Sequence, residues 1–159
     1  AAALSEQLGT DEDEDEGQKA TRAFEAADGR SFEVTLNAAP KPITDDEFEA
    51  MTDALNGCDE ITFSEGGFDY TMVLEVETDD ELGDQAFRAT FLLTAESSAL
   101  PEPLEIELHA LSFRRGSVGV TIMATDGIDE DTFQAIPADV ELIEEWGERL
   151  DSEVADLQG

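Results

Sequence analysis

From residue 32 onward the chain alternates apolar and polar side chains in short runs, separated by glycine, proline and acidic turns. Phe32, Val34 and Leu36 alternate with Glu33 and Thr35, which predicts a half-buried strand. A helix follows. Thr44 with Glu47 three residues later forms a capping box, Ile43 is placed to staple onto Phe48, and Phe48, Met51 and Leu55 form one face before Gly57 stops the helix. Ile61 and Phe63 open a second strand. Glu65-Gly66-Gly67 turns it into a longer one carrying Phe68, Tyr70, Met72, Leu74 and Val76, so that the pair reads as a β-hairpin with one apolar face. Phe87, Ala89, Phe91 and Leu93 give a further strand, and Pro101 and Pro103 bound the next loop.

The following strand changes parity. Leu104, Ile106 and Leu108 alternate with Glu105, Glu107 and His109, but beyond Ala110 the apolar positions become Leu111 and Phe113, which predicts a β-bulge there. Arg114-Arg115-Gly116 then turns the chain into Val118, Val120 and Ile122. At the end, Val140, Ile143, Trp146, Leu150, Val154 and Leu157 step by three and four, marking an amphipathic helix on which Glu145 and Arg149 are spaced to pair. The predicted architecture is α+β: an antiparallel meander sheet of about five to six strands, packed by two or three helices including this C-terminal one. Residues 1–18 read as an acidic flexible arm or linker and 19–159 as a single domain. Ile128 to Ile136 echoes Ile43 to Met51 and predicts a second stapled helix start.

Composition changes the picture in one direction. The chain of 159 residues has a 40% hydrophobic fraction and nine Phe, enough for a real core. It also carries 41 Asp and Glu against 8 Lys and Arg, a net charge of -33. Without the seven acids of residues 1–16 the rest still holds 34 acids against the same eight bases, a net charge of -26. Such charges repel across ~30 Å at ~0.01 M salt but across only ~3 Å at ~1 M, so a chain of this kind needs salt to stay compact. Lysine is reduced to Lys19 and Lys41 while arginine holds six positions, a balance that resembles proteins of extreme halophiles. Acids punctuate every loop and helix rather than one stripe, which argues against mimicry of nucleic acid. Binding to nucleic acid itself is excluded by the lack of clustered Lys and Arg. No run of 18 apolar residues spans a membrane, and an anionic membrane surface would repel this protein.

Candidate chemistry is sparse. Cys58 is the one cysteine, so no internal disulfide forms, and its neighbours Gly57 and Asp59 make no redox or zinc motif. The run from Asp11 fails as a calcium loop, with Glu16 where Gly is needed and Arg22 where the bidentate Glu is needed. Glu75 and Glu77 are placed to meet Glu105 and Glu107 across a sheet, which implies weak binding of solvent cations and no dedicated metal site. No catalytic residues and no cofactor motif emerge. The least ordinary residues are Arg114 and Arg115, adjacent bases where bases are scarce, and His109, the one histidine. These three are the candidates for an anionic ligand or an acidic partner.

Leu82-Gly83-Asp84-Gln85-Ala86-Phe87 and Phe113-Arg114-Arg115-Gly116-Ser117-Val118-Gly119-Val120 together resemble a pattern of small haloarchaeal extracytoplasmic, lipoprotein-type domains of PsbP-like and LpqN-like layout. The resemblance implies an antiparallel sheet against helices, no established catalysis and a surface location. The acidic arm would then be the tether, although Ala1 shows no lipid-attachment cysteine; any leader is expected to have been removed ahead of this numbering. The function expected is a non-enzymatic binding or assembly domain of an extreme halophile at the cell surface, with an unknown protein partner. The alternatives are a cytoplasmic accessory subunit of a larger complex and, third, an enzyme built on Arg114, Arg115 or His109.

Overall fold

The computed structural model describes residues 17–39, 44–57 and 60–158. The chain runs β1 (Gln18–Glu25), β2 (Ser31–Ala38), α1 (Asp45–Asn56), β3 (Glu60–Glu65), β4 (Phe68–Asp79), β5 (Gln85–Glu96), β6 (Leu104–Arg115), β7 (Val118–Thr125), β8 (Gly127–Ile128), β9 (Ala135–Ile136) and α2 (Val140–Gln158). Seven strands form one antiparallel sheet in the order β1-β2-β7-β6-β5-β4-β3, and β8 pairs with β9. From β3 to β7 this is the expected meander. The strand beyond the predicted number is β1, which pairs Phe24 with Phe32 yet is exposed throughout, with Phe24 its only large apolar residue. An edge strand with nothing to bury has no alternating signature.

The sheet buries its two faces at opposite ends. One face is apolar on β2, β7 and β6, where Val34, Ile122, Val120, Leu111 and Phe113 meet Ile143, Leu150 and Val154 of α2 to form the core. Gly147 lets α2 approach closely, because a Cβ there would stand 2.6 Å from Leu111 Cδ2. The other face is apolar on β6, β5, β4 and β3, and α1 lies on it, with the Phe48 and Phe87 rings 5.9 Å apart.

This switch of faces explains the parity change in β6, and it overturns the predicted bulge. The register is continuous on both sides, with Ala89 opposite Ala110 and Arg88 opposite Leu111 on β5, and Ala110 opposite Met123 and Leu111 opposite Ile122 on β7. Leu104, Ile106 and Leu108 point toward the side of α1. Leu111 and Phe113 point toward α2, which covers that end of the strand, whereas Leu104, Ile106 and Leu108 stay half-buried on the opposite side, where the contacts of α1 go to β4 and β5.

Both capping-box bonds at α1 form: Thr44 N–H donates to Glu47 Oε2 at 2.8 Å and Glu47 N–H donates to Thr44 Oγ1 at 3.3 Å. Ile43, like the run Asp11 to Glu16 and Cys58, lies outside the described residues. The buried face differs from the one expected. Met51 is 40% exposed and Thr52 is buried, its hydroxyl donating to the Glu49 and Phe48 carbonyls. The echo at residues 128–136 forms no helix. Asp129 Oδ1 accepts the Asp131 and Thr132 amides, both at 2.9 Å, in place of a helix start; Thr132 stands where the first copy has Glu47, and Phe133 adopts a positive φ of 54°. On α2, Arg149 pairs with Glu153 at 3.0 Å, not with Glu145, and its guanidinium lies over the Trp146 ring.

Candidate functional site

Arg114 and Arg115 leave β6 on opposite faces, and both fasten elements together. The Arg114 side chain is 9% exposed. Its Nη2 and Nε donate to Gln85 Oε1 at 2.6 and 3.3 Å, and its Nη1 donates to the Gly116 carbonyl at 3.0 Å. Gln85 in turn donates to Asp45, at the start of α1. Arg115 forms a bidentate pair with Asp151 of α2, Nε to Oδ1 and Nη2 to Oδ2, each at 2.8 Å. The same Asp151 Oδ1 accepts the Gly83 amide at 3.1 Å.

The two halves of the motif that carried the resemblance therefore meet in space. Asp84 N–H donates to the Arg114 carbonyl and Gly116 N–H donates to Asp84 Oδ2, both at 2.7 Å. Gly83 has a φ of 59°, and a Cβ there would lie 2.4 Å from the Arg114 carbonyl oxygen. The loop before β5, the β6–β7 turn and α2 are joined at this one node. Arg88, which the sequence did not single out, repeats the device one strand away: it binds Asp79 Oδ2 at 2.8 Å and Glu144 of α2.

His109 lies elsewhere. It shares a face of β6 with Glu105 and Glu107, as its parity required, and its Nε2 is 3.0 Å from Glu107 Oε2. Asp126 accepts the Glu107 amide at 2.9 Å and the Ala138 amide at 2.7 Å. The opening over these residues has a volume of about 420 Å³. Glu75 and Glu77 do not join them, because β5 intervenes: Glu75 faces Thr90 and Glu77 faces Arg88. Among the described residues no group of three or more His, Cys, Asp or Glu side chains is arranged to hold a metal. No helix among them is long and apolar enough to cross a membrane.

The sequence pattern named the residues of a further surface without showing its extent. On β3 to β6, Glu60, Asp69, Glu75, Glu77, Asp79, Glu96, Glu105 and Glu107 all point to the side of α2. On the side of α1 the same four strands offer one carboxylate, Glu65, at the end of β3. Phe63, Tyr70 and Phe68 stack there, with centroids 4.9 and 6.1 Å apart, and Leu74, Phe91 and Leu93 continue the patch. Ile61 is 43% exposed and Phe63 is 46% exposed. The α1 helix is the one described helix on this side; its contacts go to β4 and β5.

Comparison with family models, with curated proteins and with solved structures gives no match for this chain.

Proposed function

We propose that this chain is a non-enzymatic binding and assembly domain of an extreme halophile, working at the cell surface and joining a second copy of itself through the apolar face of β3 to β6. The observation that carries the reading is the scarcity of carboxylates on that face, where β3 to β6 place only Glu65, at the end of β3. In a chain with 41 acids, a solvated sheet surface would hold several, as the reverse side of the same strands does. Four strands at ~4.8 Å spacing, uncovered over about seven residues of ~3.4 Å each, present roughly 450 Å². Two such faces bury about 900 Å² in flat projection, just below the ~1,000 Å² of a stable specific interface and in the range of a weak, reversible dimer.

Other occupants fit less well. Residues 1–16 bring only Leu4 and Leu8 as large apolar side chains, and β1, which follows them in sequence, is the opposite edge of the sheet. An anionic lipid surface is repelled by the net charge. Two copies repel as well in dilute salt, but at ~1 M the screening length of ~3 Å removes that barrier. The cell-surface setting is inferred from the resemblance of the Gly83-Asp84 and Arg114-Arg115-Gly116 motifs, with the acidic arm as tether. Recovery of the native protein from the cytoplasmic fraction would move the reading to an accessory subunit.

Sedimentation equilibrium in molar salt tests the assembly. The expected result is a dimer for the wild-type chain and a monomer for Ile61→Asp/Phe63→Asp, with the far-UV circular dichroism of both alike, since the two side chains are already exposed. A monomeric wild type, or a variant that still dimerises, overturns the reading.

A further inference from the structure

A different apolar opening lies on the reverse side of the sheet. The α2 helix sits over β6 and β7, so β1 and β2 run past its flank and leave a groove. Phe24 divides it into a cavity of about 230 Å³ beside Arg22 and one of about 320 Å³ beside Arg30. The first is walled by Trp146 and Leu150 of α2 and floored by Val34 and Leu36 of β2, and its lining is almost wholly apolar. Phe24, at the junction, is 51% exposed. Arg30 is already neutralised by Asp28 at 2.9 Å. Arg22 has no ion pair among the described residues, although it is one of only eight bases in a chain with 41 acids.

We infer that this groove binds a single-chain amphiphile, a straight hydrocarbon tail ending in a carboxylate, with the tail packed along Phe24 and Trp146 and the head group on Arg22. The combined volume falls in the range of small-molecule sites, which are mostly apolar with a few orienting polar groups. From Arg22 to Ala26 the chain extends ~13 Å, which a zigzag hydrocarbon of about eleven carbons with ~1.5 Å bonds would fill. Arg22, the arginine of the groove without an ion pair among the described residues, selects the head. One guanidinium matches one negative charge, and a phosphate monoester carrying about -1.5 to -2 would leave surplus charge beside the acids of β1 and α2. The site is separate from the β3 to β6 face and does not depend on dimerisation.

Trp146 is the only tryptophan and forms the wall of the groove, so its fluorescence reports occupancy directly. Dodecanoate, dodecyl phosphate and dodecanol are titrated in molar salt, each below its own aggregation concentration. Dodecanoate is expected to shift the emission to the blue and to saturate at one per chain, with the other two binding more weakly. Arg22→Gln should weaken dodecanoate about fivefold, the upper worth of a solvent-exposed ion pair, and bring it level with dodecanol. Phe24→Asp should abolish the shift while leaving the circular dichroism unchanged.

An absent or non-saturating response overturns the proposal, including the case in which the groove is already covered by residues of this or another chain. So does unchanged binding by Phe24→Asp, which would place the probe on the β3 to β6 face. A preference for carboxylate that survives Arg22→Gln overturns the assignment of the head group.

Discussion

Gly83 is the residue on which the joint between sheet and helix depends. Its amide reaches Asp151, its neighbour Asp84 pins the β6–β7 turn, and its φ of 59° leaves no space for a side chain against the Arg114 carbonyl. Gly83→Ala therefore combines a left-handed conformation with a backbone clash and should lower stability by about 2–4 kcal/mol, measured by denaturant unfolding in molar salt. A loss below ~0.5 kcal/mol would mean that the loop relocates without disturbing the node. Nearby, the Asp79 carboxyl is held below the ordinary carboxylate range, first by the Glu81 amide at 2.8 Å and then by Arg88, against the opposing effect of burial. Asp129 is held low by the Thr132 and Asp131 amides. A carboxyl with a depressed folded value contributes fully above its unfolded value and loses that contribution as pH falls through the folded one. Stability should thus fall below about pH 4. Asp79→Asn should flatten that acid limb and be less stable than wild type at neutral pH, as read by thermal unfolding across pH.

At the scale of elements, legibility in the sequence followed burial. The strands β2 and β4 to β7 and the helix α2 were readable because each has a buried or half-buried face that forces periodicity. The β3 strand was readable from Ile61 and Phe63 although it is exposed, while β1, exposed with a single large apolar residue, carries no pattern. The change of parity at Ala110 was a true signal with two physical causes open to it, a bulge or a change of covered face, and only the register with β5 and β7 decides between them. The echo at residues 128–136 shows the limit of local grammar. With Thr132 where the capping box needs Glu, Asp129 captures the free amides and ends the chain's approach to a helix. The candidate residues were legible by rarity alone. Arg114 and Arg115 are unusual because each fastens elements together, and His109 stands apart from them on the α2 side of β6. Neither the acid-poor face nor the groove at Phe24 could be read from any one segment, since each is assembled across several strands.

The whole molecule sets a condition on all of these contacts. Carboxylates crowd the α2 side of β3 to β6 and the outer surface of α2, while the bases that offset them number eight, and Arg88, Arg114 and Arg115 are committed to joints between elements. Cohesion then comes chiefly from the core under α2, with a smaller buried patch beside α1, and the opposing repulsion scales with the screening length. As that length grows from ~3 Å at ~1 M salt to ~10 Å at ~0.1 M, each carboxylate begins to interact with its neighbours across the surface and not only with its own hydration shell. Far-UV circular dichroism during dialysis should therefore show unfolding below about 0.1 M salt, reversed by adding salt back. Potassium and sodium chloride at equal ionic strength should act alike, because screening and not a dedicated cation site is the cause. The order of events carries a further test. Repulsion between two chains has no covalent tether to oppose it, so assembly should be lost at a higher salt concentration than the fold. A response flat down to dilute buffer would mean that the acidity does not oppose folding, and the halophilic reading would fall with it.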